Sequence, residues 1–181
     1  MITTEKLFSH FDFNQLNNAD FKEDSVREVI ILPILQQLGY TQTNIVRSKS
    51  LQHPYLKIGS KKRPITLVPD YLLKVEENYA WVLDAKAPNE NISTGDNVEQ
   101  VYSYATHPEI RSTYFTLCNG KEFSVFRTGD TDKPILFFGV DEIEYYWKDL
   151  QRFLSPNSFQ SGKNLTYETT SALQNQKGLI I

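Results

Sequence analysis

Pro69-Asp70-Tyr71-Leu72-Leu73-Lys74-Val75, Glu76-Glu77-Asn78 and Tyr79-Ala80-Trp81-Val82-Leu83-Asp84-Ala85-Lys86 form the stretch on which the fold turns. Both flanks are rich in aromatic and branched apolar residues, which suit a pleated, half-buried surface, and the polar triplet between them reads as a turn. A three-residue turn at 76–78 pairs Val75 with Tyr79 and sets Asp70 opposite Asp84, whereas a two-residue turn shifts the pairing by one. The period of two places Asp84 and Lys86 on one face of the second strand, with Trp81, Leu83 and Ala85 on the other. Two carboxylates and an ammonium then converge at one end of a hairpin, a place to hold a divalent metal and activate a water. A solitary, exposed Asp-x-Lys pair carries no such meaning and is worth about 0–1 kcal/mol. Here it ends an apolar strand, Asp70 lies across the hairpin, and Pro88 stops the strand soon after.

Outward from this hairpin the chain has 181 residues, enough for one domain with a sizeable core. Its 40% hydrophobic and 23% charged residues are ordinary for a globular protein. A net charge of −3 argues against an all-round basic coat, though a local basic patch is compatible with it. The single cysteine, Cys118, excludes an intramolecular disulfide and a Cys-rich zinc site, and its apolar surroundings predict a buried small hydrophobe. No apolar run approaches the length of a membrane helix and the first residues lack a signal-peptide pattern, so a cytoplasmic protein with no membrane partner is expected.

Residues 1–21 read as an N-terminal extension in which Thr3 or Thr4 caps a short helix and Phe8, Phe11, Phe13 and Phe21 lie against the body. A helix is predicted from Asp24 or Ser25, with Val26, Val29, Ile30, Ile34, Leu35 and Leu38 as its stripe and Gly39 as its stop. Pro33 should bend it, and Glu28 sits one turn in, beside the stripe. A strand is predicted near 43–51. From 44 to 69 there is no acid, yet Arg47, Lys49, Lys57, Lys61, Lys62, Arg63 and His53 are present. That basic rim leads into the hairpin and suits phosphate contacts of strong salt dependence.

Beyond Lys86 a loop leads to a helix from Asp96 to His107, with Val98, Val101, Tyr102 and Ala105 at helical spacing and Pro108 as its end. Gln100 and Tyr104, four apart, share one of its faces. Ser112–Cys118 and Glu122–Arg127 flank Asn119-Gly120-Lys121 as a hairpin. Ile135–Val140 is a further strand, and Asp141 is expected to cap a last helix over 142–154. Ile143, Tyr146, Trp147, Leu150 and Leu154 face inward in that reading. Residues 22–154 are thus taken as the domain and 155–181 as a polar tail or linker. The expected class is α/β, a central mixed sheet flanked by helices.

With these residues in this order, the chain resembles the PD-(D/E)xK nuclease superfamily, and more narrowly the N-terminal nuclease domain of the R subunit of type I restriction enzymes. The resemblance covers about residues 22–140 and rests on Glu28, Asp70 in VPDYLLKV, Asp84-Ala85-Lys86, the Gln100/Tyr104 pair and TLCNGKEFSVF. Asp84 stands where family members often carry Glu, a permitted exchange that shortens the ligand arm. The resemblance implies a restriction-endonuclease-like core and a metal-dependent DNA endonuclease. Asp70, Asp84 and Glu28 would hold Mg2+ (or Mn2+), and Lys86 would orient the nucleophile or stabilise the transition state. Gln100 and Tyr104 would position DNA or the lysine, alongside Lys61, Lys62 and Arg63 of the basic rim. Specificity and methyltransferase subunits of a restriction complex are the implied partners. The chain carries no Gly-x4-Gly-Lys-Ser/Thr phosphate loop, so ATP would enter only through translocase domains absent from it. An excised N-terminal piece, a truncated product and a stand-alone relative all fit. The alternatives in function are an inactive DNA-binding or assembly module of the same fold and a nuclease acting on RNA or branched DNA.

Overall fold

A computed structural model describes residues 6–52 and 65–160. Its strands are β1 (Ile45–Arg47), β2 (Leu51–Gln52), β3 (Thr66–Leu67), β4 (Tyr71–Val75), β5 (Asn78–Ala85), β6 (Tyr114–Cys118), β7 (Glu122–Arg127) and β8 (Leu136–Gly139). Six of them form a central mixed sheet in the order β1-β4-β5-β6-β7-β8, and β2 pairs with β3 in a separate ribbon. β5 and β6 run parallel, joined through the helix Asp96–Ala105, and the other pairings in the sheet are antiparallel. The α/β class with a mixed, helix-flanked sheet is therefore as expected.

The β4–β5 hairpin combines the two registers weighed for it. The turn holds only Glu76 and Glu77, so Val75 faces Asn78, and Glu76 takes a positive φ of 55° there. A bulge between Leu73 and Lys74 then shifts the pairing by one residue, so that Tyr71 faces Leu83. At the site end of the hairpin the register is thus the one a three-residue turn would have produced.

Alternation along β5 divides the core into two layers. Trp81, Leu83 and Ala85 pack with Tyr71, Leu73, the first helix and the C-terminal helix. Val82 and Leu72 face the helix Asp96–Ala105, with Phe115, Leu117 and Phe126 beside them. Trp81 is fully buried, and its Nε1–H donates to Tyr40 Oη at 2.8 Å and to the Leu154 carbonyl at 3.2 Å. Tyr40 Oη in turn donates to Leu154 at 2.8 Å. Burying that indole alone contributes about 1.5–3 kcal/mol, and its polar edge is satisfied as a buried donor must be.

The first helix runs through Glu23–Ser25, a π-helical segment Val26–Ile31 and Leu32–Leu38. Pro33 has no N–H to give and its ring would press on the carbonyl four residues back; the preceding turn is widened, with Leu32 N–H reaching Arg27 O. The wider turn alters the stripe: Ile31 is buried, whereas Val29, expected inside, is 40% exposed. Gly39 ends the helix in the left-handed region, as expected (φ 102°).

Other expectations shift in detail. The strand expected over 43–51 breaks at Ser48, whose φ is 48°, and its halves join different sheets. In the helix Asp96–Ala105, Tyr104 is buried and Tyr102 is 40% exposed, the reverse of the predicted stripe. Asp141 does not cap the last helix: a 3-10 turn over Val140–Glu142 leads into Ile143–Leu154, and Glu142 stands at the N-cap without a side-chain bond. Gly120 and Lys121 form the turn of the β6–β7 hairpin, with Gly120 at φ 86° as a Gly-first turn requires. Both flanks of the expected domain pack on the same body. Leu7, Phe8, Phe11, Phe13 and Phe21 from the N-terminal flank and Phe159 from the C-terminal flank all lie against the same core cluster. Cys118 is fully buried, and burial pushes its thiol up to about 12. Among the described residues no helix is long and apolar enough to cross a membrane.

Candidate active site

The carboxyl end of β5 carries the site. Ala85 is sealed in the core between two polar neighbours, so Asp84 and Lys86 are held on the opposite face by the strand itself. Asp70 immediately precedes β4 after the buried Pro69. Reciprocal contacts then lock the two acids together. Asp70 N–H donates to Asp84 Oδ1 at 3.2 Å, and Ala85 N–H donates to Asp70 Oδ2 at 2.8 Å. The two carboxylates are neighbours across the strand pair, as the register requires.

Lys86 is 7% exposed and Asp84 4%, so this is not the solvated pair of an ordinary strand end. Lys86 Nζ donates to Asp84 Oδ2 at 2.7 Å and to Gln100 Oε1 at 2.8 Å. An ammonium has three donors, so one is left for another acceptor. Tyr104, one turn beyond Gln100 on the same helix, completes the group; burial first, and then the charge of Asp84, push its phenol up to about 12 against the Gln100 hydrogen bond. Asp84 itself is pushed up to about 6, by burial first and by the Asp70 charge second, with Lys86 opposing both.

The structure brings Asp70, Asp84, Lys86, Gln100 and Tyr104 together. Glu28 lies exposed on the first helix with no hydrogen bond or ion pair to them among the described residues, although its charge reaches the Tyr71 phenol next to Asp70. The same helix offers Arg27, whose Nη2 lies 2.6 Å from Asp70 Oδ1 and which also pairs with Glu23 and Asp24. Burial alone would lower the guanidinium's pKa; the charges of Asp70 and Glu23 outweigh it and raise the value. Glu23 is raised chiefly by its own burial, with Arg27 opposing and with Asp70 and Glu90 adding to the rise. Arg27 and Glu23 escape a sequence reading that takes the helical phase from a 3.6-residue period. The signal that could have found them is Glu23/Arg27 at i,i+4 ahead of a proline-widened turn.

Lys61, Lys62 and Arg63, with His53 and Lys57, lie outside the described residues. The remaining cations of the basic rim are engaged by protein. Arg47 lies over the Tyr71 ring, and Lys49 Nζ donates to Tyr79 Oη at 2.9 Å and pairs with Glu109 at 3.0 Å.

Among the described residues no group of three His, Cys, Asp or Glu side chains is disposed to hold a metal ion. Asp70 and Asp84 still fit one, because magnesium keeps several waters and takes as few as one or two carboxylates. Burial and the Asp70 charge hold Asp84 toward its neutral form, and a bound divalent cation would oppose both. In comparisons with known proteins, no family description, curated protein or solved structure matched the chain.

Proposed function

We propose that this chain is a metal-dependent DNA endonuclease domain of the PD-(D/E)xK class, akin to the nuclease domain of type I restriction R subunits. The observation that carries the reading is the meeting of Asp70, Asp84, Lys86, Gln100 and Tyr104 at the end of one central strand. Asp70 and Asp84 would hold Mg2+, with Mn2+ as a substitute; when bound, such an ion neutralises charge on the phosphate and acidifies a coordinated water. Lys86 keeps a third N–H beyond its bonds to Asp84 and Gln100, which would hold the attacking water or a non-bridging phosphate oxygen. Gln100 fixes the lysine by accepting one of its protons, and Tyr104 fixes Gln100. Glu23 is a further helix carboxylate within electrostatic reach of this group, beside the expected Glu28. DNA is the proposed substrate, and specificity and methyltransferase subunits remain the proposed partners.

A second reading has its own observation. Each oxygen of Asp70 and Asp84 already has a donor in Arg27, Ala85 N–H, Lys86 or Asp70 N–H. A site so neutralised also suits an inactive DNA-binding or assembly module of the same fold.

Nicking of supercoiled plasmid by wild type and Lys86→Ala, in magnesium, manganese or EDTA, separates the two. The nuclease reading expects metal-dependent nicking, lost in EDTA and slowed about a hundred- to a thousand-fold in single turnovers by Lys86→Ala. Equal rates for the two proteins would remove Lys86 from the chemistry. No nicking in any metal would favour the inactive module.

A further inference from the structure

One residue beyond Lys86 the chain enters a cleft of about 450 Å³ between three separate segments. Its walls are the N-terminal segment through Asn17, Asn18, Phe21 and Lys22, the loop after β5 through Ala87–Asn89, and the hairpin tip at Lys121. No acidic side chain is among its described lining residues, although the adjoining site is crowded with carboxylates. Lys22 and Lys121 are exposed and make no ion pair among the described residues, in contrast to Arg27, Lys49 and Lys86. The side chains of Asn17 and Asn89 likewise make no hydrogen bond there.

The walls are packed against one another. Gly120, beside Lys121, approaches so closely that a Cβ would lie 2.9 Å from Leu16 Cδ2, and the Lys121 carbonyl accepts from Val140 N–H at 2.8 Å. Phe21 is fixed edge-on against Phe11. The hairpin tip and the N-terminal segment are thus pressed together, and the lysines stand on a packed floor.

We infer that this cleft seats the DNA strand that runs on from the reacting phosphate, as a single, unpaired strand. Two unpaired ammonium groups suit successive phosphates, free amides suit base edges, and Phe21 with Pro88 offers an apolar wall for a base or sugar. The size lies within the range of sites for one small ligand, here one nucleotide of the strand, not a duplex. The ligand's identity as DNA rests on the nuclease reading; the cleft's charge and shape do not.

The test is fluorescence anisotropy of a labelled single-stranded oligonucleotide in EDTA across a salt series. It compares wild type, Lys22→Ala/Lys121→Ala, and Lys133→Ala/Lys148→Ala as a control of equal charge. Deprived of both phosphate-facing ammonium groups, the double variant of the cleft should bind about tenfold or more weakly at low salt, its log–log salt slope reduced by about 1.4. The control should match wild type, and unlabelled duplex should compete poorly. Equal affinity and slope in the cleft variant, equal weakening in the control, stronger competition by duplex, or no binding by wild type would each overturn the inference. Nicking by the same preparations keeps the two readings apart. Nicking with a silent lysine pair defeats the cleft alone, and a responsive lysine pair without nicking in any metal defeats the nuclease reading alone.

Discussion

Replacing Asp84 by Asn removes a buried carboxyl whose titration the fold strongly perturbs. Asp84 titrates near 6 in the folded chain against 3.8 for an ordinary aspartate, because burial and the Asp70 charge disfavour its anion. Between those two values the folded state therefore holds a proton that the unfolded state has released. Stability from this group falls as pH rises through that window. The penalty is absent below about 3.8 and complete above about 6. A displacement of that size corresponds to about 3 kcal/mol, a large fraction of a domain's total stability. Asn carries no charge at any pH, so the variant lacks this dependence; removal of the partner for Lys86 adds an offset that does not vary across the window. Urea unfolding of both proteins at steps between about pH 4 and pH 7 should then show the difference between them changing by about 3 kcal/mol in favour of Asn as pH rises. Saturating magnesium should flatten the wild-type dependence, since a bound cation favours the carboxylate. Parallel pH profiles for the two proteins would refute the assigned environment of Asp84, and a wild-type slope indifferent to magnesium would remove Asp84 as a metal ligand.

Two further outcomes follow from the packing. Tyr40→Phe deletes the hydroxyl shared by Trp81 Nε1 and the Leu154 carbonyl, and should lower unfolding free energy by about 1–2 kcal/mol while leaving plasmid nicking unchanged, since it lies on the other face of the sheet. Gly120→Ala combines a left-handed φ of 86° with a Cβ only 2.9 Å from Leu16 and 3.3 Å from Val26. Thermal or urea melts should show it destabilised by about 2–4 kcal/mol, and a neutral result would mean that the hairpin tip is not packed against the N-terminal segment.

The elements most legible in the sequence are those whose signals are local and whose faces differ. Trp81-Val82-Leu83-Asp84-Ala85-Lys86 alternates because its two faces meet different layers, and that same alternation placed Asp84 beside Lys86. Asn119-Gly120-Lys121 announced its turn because few residues other than Gly tolerate φ 86°. The phase of the first helix was not legible. A proline seven residues after Val26 widens the turn before it, and that rotation exchanges Val29 for Ile31 in the core and leaves Glu28 in solvent. The break at Ser48 had no local signal, since its positive φ belongs to a residue that ordinarily avoids it. Nor could composition show that Lys86 is buried; an Asp-x-Lys on a solvated edge has the same letters.

That burial is where fold and site become one problem. Strand β5 is central, with β4 on one side and β6 on the other, so the backbone positions of Asp84 and Lys86 are fixed by ladders that also carry Trp81, Leu83 and Ala85 into the core. Lys86 N–H donates to the Cys118 carbonyl at 2.9 Å, which extends the parallel pairing one residue past the strand. The side chains therefore converge without the freedom a loop would give them, and ordering them on binding costs little further entropy. The same rigidity makes the charges expensive: a carboxylate at 4% exposure beside a second carboxylate survives only because Lys86, Arg27 and two backbone N–H groups point at the pair. A sequence under selection for stability alone would replace such a cluster with apolar residues. Its presence at the end of a strand whose other face is sealed in the core, next to a cleft that among the described residues has no acidic side chain and two lysines without ion pairs, is the ground on which we propose chemistry on an anionic polymer.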